Sequence, residues 1–166
     1  MSAPRDGQRA RVYAAEDQVA RIVDARGTFP TLTLFGSEVV VPDDRKFGDL
    51  DSVQRYVDAV LALNWVRQRW PAAARPVSVR PRRGAAKVTY ERTRATIAIP
   101  PFESGGRWSL RELVVLHEIA HHLTDETVAS HGPQFVANLL VLVAEIIGTE
   151  AEFLLRTTLQ ENGVVL

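Results

Sequence analysis

The chain has 166 residues, of which 46% are hydrophobic, and this length and composition predict a single globular domain. It contains no cysteine, which excludes disulfides, cysteine-based zinc ribbons, iron–sulfur clusters and thiol nucleophiles. No apolar stretch reaches the ~20 residues of a membrane span, and residues 1–9 lack the apolar core of a signal peptide. We therefore expect a soluble, cytoplasmic protein.

The net charge is zero, but the charges are unevenly distributed along the chain. Residues 65–111 carry 11 basic and 2 acidic side chains, whereas residues 112–166 carry 1 basic and 8 acidic. Either these two regions neutralise each other locally, or the basic region forms a face for an anionic partner such as nucleic acid. Tyr90 and Trp108 lie near the basic side chains of such a face, which are Arg80, Arg82, Arg83, Lys87, Arg92 and Arg94.

The first part of the chain predicts a helix, a hairpin and a second helix. Apolar positions at helical spacing predict a helix over 8–25. Alternation in 31–35 and 38–41 predicts a short β-hairpin, followed by a loop over 42–50. A second helix is expected from Asp51 to about Trp70, where the following proline ends it.

Residues 76–100 predict two or three strands. Alternation favours strands around Val77 and over 87–91, joined by a turn at Arg83-Gly84, so that residues 80–94 form a basic hairpin. Ala95–Pro100 is a third strand. It is either an exposed edge that adds an extended peptide as one more strand or an interior strand without that role. Residues 101–108 are expected to be a loop.

The last part of the chain predicts three helices. Ser109 and Glu112 form a capping box for a helix that runs to about Thr124. Pro133 and Gly148 suit the two ends of the next helix, and Thr149–Glu152 is a second capping box for a last helix ending near residue 162. The whole order predicts an α+β fold, with N-terminal helices, a small, mainly antiparallel sheet, and a motif-bearing helix followed by two C-terminal helices.

The strongest chemical signal is the segment His117-Glu-Ile-Ala-His121. Residues four apart share a helix face, so these two imidazoles can bind one metal ion. A catalytic zinc site uses three protein ligands and one water, and Glu118 is placed to take a proton from that water. The helix is apolar on nearly every side, and all four histidines lie between 117 and 131. Both facts argue against histidines that merely pack in a core.

A third ligand must come from outside the motif. We expect His131, because Gly132 and Pro133 start a new helix immediately after it and imidazole suits zinc well. Carboxylates are the alternatives, and the candidates are Glu145, Asp125 and Glu126.

His122 is rotated by about 100° from His121 on the helix, so it cannot share the metal-binding face. We expect it at the surface or beside the ligands rather than among them. His122, Tyr90 and the arginines are the candidate donors to an oxyanion, and the sequence does not rank them.

The motif at 117–121, followed by His131-Gly-Pro-Gln-Phe135, resembles the zincin metallopeptidases and, among them, SprT-like proteins. The wider run 113–144 also resembles a small family of uncharacterised actinobacterial proteins described as metallohydrolases. The resemblance covers about residues 109–147 and implies zinc at His117, His121 and His131, Glu118 as general base, and a strand edge that holds the substrate. The connector is shorter than in SprT-like proteins, and a cysteine-based zinc ribbon is lacking. Their DNA-linked substrates are therefore not carried over.

We accordingly expect a zinc-dependent hydrolase, a metallopeptidase that acts on a peptide or protein with Zn²⁺ as cofactor. One alternative is the same water chemistry on another amide or an ester. Another is a non-catalytic zinc-bearing module that binds nucleic acid through the basic hairpin 80–94. Glu118 favours catalysis, because a structural zinc site needs no base.

Overall fold

A computed structural model describes residues 4–28, 30–34, 36–84, 87–101, 103–104, 107–108 and 110–166. These residues contain six α-helices and nine short strands, so the predicted α+β class is confirmed. The helices are α1 Arg9–Asp24, α2 Leu50–Ala62, α3 Asn64–Arg69, α4 Glu112–Leu123, α5 Pro133–Ile146 and α6 Thr149–Glu161. The strands are β1 Thr31–Leu34, β2 Ser37–Val40, β3 Lys46–Phe47, β4 Ser78–Pro81, β5 Thr89–Glu91, β6 Thr96–Ile99, β7 Glu103–Ser104, β8 Arg107–Trp108 and β9 Leu110–Arg111. Within the described ranges, the helices are all too short or too polar to cross a bilayer.

The chain divides into two compact units. The first comprises Met1–Asp44 and Thr124–Leu166, and the second comprises Arg45–Leu123. In the first unit, α6 packs against both α1 and α5. Its core is built from apolar side chains of these three helices, including Val12, Ala15, Phe135, Leu139, Leu155 and Leu159.

The predicted N-terminal helix and hairpin are confirmed. α1 buries Val12, Ala15 and Val19, which recur at helical spacing. β1 and β2 pair antiparallel from Thr31↔Val40 to Leu34↔Ser37. Gly36 lies in the turn with φ 79°, a backbone conformation that glycine adopts without strain.

The predicted long helix over 51–70 is interrupted. α2 ends at Ala62, and Leu63 has extended backbone angles (φ −59°, ψ 132°) before α3 begins. The break leaves the carbonyl of Leu61 without its helical donor, and Nε of Arg67 donates to it at 3.1 Å. α3 ends at Arg69, just before Pro71, as expected from the proline, and a 3₁₀ turn at Pro71–Ala74 follows.

In the three-stranded sheet of the second unit the order is β4-β6-β5. β6 pairs parallel with β4 and antiparallel with β5. The predicted hairpin over 80–94 is therefore wrong, because β4 and β5 lie on opposite sides of β6. The edge role considered for Ala95–Pro100 is also wrong, since β6 is the central strand and all four of its residues are buried. Four of the five described strand pairings are antiparallel, as predicted, but they belong to four small sheets rather than one.

Two predicted loops contain short strands. Lys46–Phe47 pairs with Leu110–Arg111, and Glu103–Ser104 pairs with Arg107–Trp108. α4 therefore begins at Glu112, later than predicted, and the backbone N–H of Glu112 donates to the carbonyl of Arg45. Ser109, the other half of the predicted capping box, lies outside the described residues.

The two C-terminal helices are confirmed, with one difference in capping. Gly132 is the N-cap of α5 and Pro133 its first residue, as the sequence predicts. The second capping box is wrong: Gly148 is the N-cap of α6 and has no side chain to bond. Thr149 lies one position too late, and its hydroxyl bonds Glu150 instead.

Candidate metal centre

α4 is buried on nearly every side. Glu112, Val115 and the residues from Leu116 to Ala120 are buried, as are His122 and Leu123. Histidine and glutamate rarely occupy such a helix unless each polar group has a partner, because an unpaired polar or charged group in an apolar environment is costly. The predicted apolar surroundings of the motif are thus present in the fold.

His117 and His121 lie one turn apart on α4, with their Nε2 atoms 3.1 Å apart. The rings meet edge to face, with centroids 4.8 Å apart. Two imidazole nitrogens bound to one tetrahedral zinc at about 2.0–2.1 Å would be separated by roughly 3.3 Å. The two nitrogens therefore already lie close to the spacing that a shared zinc ion requires.

His131 belongs to the same group. His117, His121 and His131 are all buried, and the ligand atoms that they offer lie within 4.8 Å of one another, so these three histidines could hold a metal ion. The alternative ligands are placed elsewhere. Glu145 is exposed on α5. Asp125 is exposed and accepts bonds from the backbone N–H and the hydroxyl of Thr127, as in an Asx turn.

The N-terminal segment holds His131 in place. Nδ1 of His131 lies 2.7 Å from Oδ2 of Asp6, and the amide of Gln8 donates to the His131 carbonyl at 3.0 Å. The imidazole ring of His131 also contacts the aromatic rings of Tyr13 and Phe135, whose centroids are 5.5 Å and 5.0 Å away. Sequence reasoning missed Asp6 and Gln8 because they lie 125 and 123 positions from His131 and belong to no local pattern.

Glu118 follows His117 directly and is only 2% exposed. A carboxylate this deeply buried needs a polar or cationic neighbour. Its place next to His117, a candidate ligand, is the one that the sequence motif requires of a general base.

His122 is buried rather than at the surface, which corrects one of the sequence expectations. Its Nε2 lies 2.9 Å from the carbonyl of Ala72, so Nε2 carries the hydrogen and Nδ1 accepts from the hydroxyl of Tyr90 at 2.7 Å. Burial, the largest effect, lowers the pKa of His122 below its usual value. Both ring nitrogens are thus used inside the fold, and neither His122 nor Tyr90 has a hydrogen directed at a substrate.

The start of α4 is anchored by its buried glutamate. The hydroxyl of Tyr56 donates to Oε1 of Glu112 at 2.6 Å, and Arg45 approaches the same oxygen at 3.4 Å. Burial, followed by the bond to Glu112, raises the pKa of Tyr56. At the other end of the helix, Arg92 donates to the carbonyl of His121 at 2.8 Å. His117 and His121, the two candidate ligands on α4, therefore belong to a helix that is held at both ends.

At least three of the six basic side chains of the predicted face make contacts within the fold. Arg80 pairs with Glu91, and Arg82 donates to the hydroxyl of Thr89. Register places Arg80 and Thr89 on either side of Ala98 in the central strand. Arg92 binds the α4 carbonyl described above. These contacts reduce the cationic surface that is available to a nucleic acid.

No protein-family model, curated protein or solved structure matches the chain.

Proposed function

We propose that this protein is a zinc-dependent hydrolase, and specifically a metallopeptidase, with His117, His121 and His131 as ligands. The observation that carries the proposal is the buried histidine triad with a buried glutamate directly after its first member. Three neutral imidazoles and no cysteine form a donor set typical of catalytic zinc, which keeps one coordination position open. The 3.1 Å spacing of the Nε2 atoms of His117 and His121 fits this ion.

When bound, zinc would supply a water of lowered pKa and a Lewis acid for the carbonyl under attack. Glu118 would accept the proton of the attacking water and deliver it to the leaving amine, as a general base that becomes a general acid. The burial of α4 limits the access of bulk water to Glu118 and so strengthens the electrostatic interactions of its carboxylate. His122 and Tyr90 support the helix and do not take part in the proton transfer.

A peptide substrate is favoured by the strand next to α4. β5 pairs with β6 on one side, and within the described residues it is an outer strand of its sheet. Tyr90 of β5 bonds His122 of α4, so this edge runs beside the motif-bearing helix. An extended peptide added to β5 would gain main-chain hydrogen bonds beside the helix that carries Glu118. The substrate-binding edge implied by the resemblance is thus assigned to Thr89–Glu91 instead of β6.

The test is Glu118→Gln, with Glu145→Gln as a matched control on an exposed glutamate. Glutamine preserves the shape of residue 118 but cannot accept the proton, so cleavage of a quenched-fluorescence peptide library should fall by about 10²–10⁴-fold. Zinc content should stay at the wild-type level in both variants, and Glu145→Gln should cleave as the wild type does. Undiminished cleavage by Glu118→Gln, or a zinc-loaded wild type that cleaves no peptide in the library, would contradict the proposal.

A further inference from the structure

The third histidine depends on a segment that no motif identifies. His131 follows a short connector, and Gly132 N–H donates to the carbonyl of Ala129 in the turn just before α5. Gln8 fixes the main chain of His131. The side-chain amide of Gln8 donates to the His131 carbonyl and accepts from the backbone N–H of Val165 at 2.6 Å. The backbone of His131 is fixed, and its ring contacts two aromatic side chains. What remains to be set is which ring nitrogen carries the hydrogen and which offers its lone pair to a metal.

Asp6 decides that choice. A carboxylate 2.7 Å from Nδ1 favours the ring form with hydrogen on Nδ1, which leaves Nε2 with the lone pair that a metal needs. The other oxygen of Asp6, Oδ1, is buried and makes no hydrogen bond to any residue that the structure describes. A carboxylate in this situation is stabilised by positive charge on its imidazole partner, and a metal cation bound through Nε2 provides it.

We propose that Asp6 is a positioning residue for the metal site: it selects the Nδ1–H form of His131, orients Nε2 toward the metal, and increases the basicity of the ring. This inference rests on the proposed function, because it requires His131 to be a ligand. The competing interpretation is a purely structural pair, in which Asp6 joins the N-terminal segment to the connector and has no effect on metal binding.

The experiment measures zinc affinity of the full chain by competition with a chromophoric chelator, for the wild type, Asp6→Ala, Asp6→Asn and the control Asp43→Ala. Asp43 is an ion-paired aspartate of the same unit, 92% exposed and bonded to Arg26. Loss of an outer-shell partner typically lowers metal affinity about 10–100-fold, and we expect that loss for Asp6→Ala. Asp6→Asn should recover part of it, because the amide oxygen still accepts from Nδ1–H. Asp43→Ala should bind zinc as the wild type does.

Two further measurements separate the possible failures. Circular dichroism and urea unfolding of the metal-free proteins show how far each variant is folded, and the affinity is compared only among folded samples. Cobalt substitution adds an independent readout, since the visible absorption of Co²⁺ should change in Asp6→Ala if His131 is displaced. If Asp6→Ala lowers stability but binds zinc as tightly as the wild type, the structural interpretation is correct and the inference falls while the metal site stands. If the wild type binds no zinc, both the proposed function and the inference are overturned.

Discussion

Tyr90→Phe removes one hydrogen bond from the support of α4 and leaves the aromatic ring in place. His122 is 4% exposed, and its Nε2–H donates to the carbonyl of Ala72. The ring cannot move this hydrogen to Nδ1 without losing that bond, so Nδ1 would remain an acceptor without a donor. A buried acceptor that loses its partner costs about 1–3 kcal/mol. Tyr90 is only partly buried, and water can reach part of the vacated space, so we expect the lower part of this range, about 1–2 kcal/mol.

The free energy of unfolding is measured by urea denaturation of the metal-free protein at pH 7.5, followed by circular dichroism. For a chain of this size, about 1 kcal/mol shifts the melting temperature by roughly 2–4 °C. The same substitution in a His122→Ala background should cost much less, because the acceptor is already gone, and the difference gives the coupling energy.

The result also decides whether Tyr90 acts in chemistry. If its hydroxyl belongs to the support of α4, Tyr90→Phe lowers stability while zinc affinity and peptide cleavage by the folded protein stay within about twofold of the wild type. A variant of wild-type stability that has lost cleavage by about 10²-fold or more would refute our reasoning, because that pattern is typical of an oxyanion donor.

Two further predictions follow from the same region. Burial lowers the pKa of His122, so the folded state binds fewer protons than the unfolded state once the pH falls below about 6.5, and stability should be lost as the pH decreases through that range. Metal-free His122→Gln should show a shallower loss between pH 7.5 and 5.5 in urea unfolding, and an unchanged slope would contradict this. His131→Ala should lower zinc affinity by more than the roughly 10–100-fold expected for an outer-shell partner, whereas Glu145→Ala and Asp125→Ala should leave it unchanged. Loss of zinc in Glu145→Ala with retention in His131→Ala would transfer the third ligand to a helix-borne glutamate.

Local signals in the sequence predicted most of the helices. The pattern of Ser109 and Glu112 predicted the helix α4, four-residue spacing predicted the shared face of His117 and His121, and the pair Gly132-Pro133 predicted the start of α5. These signals work because capping and helix periodicity depend on neighbours within one or two turns. The interruption at Leu63 could not be predicted in this way, since neither Leu63 nor its neighbours is a helix breaker and the apolar spacing continues across it.

Strand order was predicted less well, because it depends on pairing between distant residues. Alternation placed three strands between 76 and 100 but could not say that β6 lies between β4 and β5. One signal was available: Thr96-Ile-Ala-Ile is almost continuously apolar, and such runs are typical of strands covered on both faces. It would have favoured an interior strand over an edge at this position.

The site combines two kinds of support, and they differ in how visible they are in a sequence. His117 and His121 lie on a helix whose start is held through Glu112 and whose end is held through His122 and Arg92. On such a helix the four-residue offset places both imidazoles on one face, which is why a five-residue motif can specify His117 and His121. His131 follows a connector, and its orientation is set by contacts to Asp6, Gln8 and two aromatic rings. Because conformational freedom that must be lost on binding weakens affinity, differences in metal affinity among variants of this protein should arise mainly from residues that hold His131.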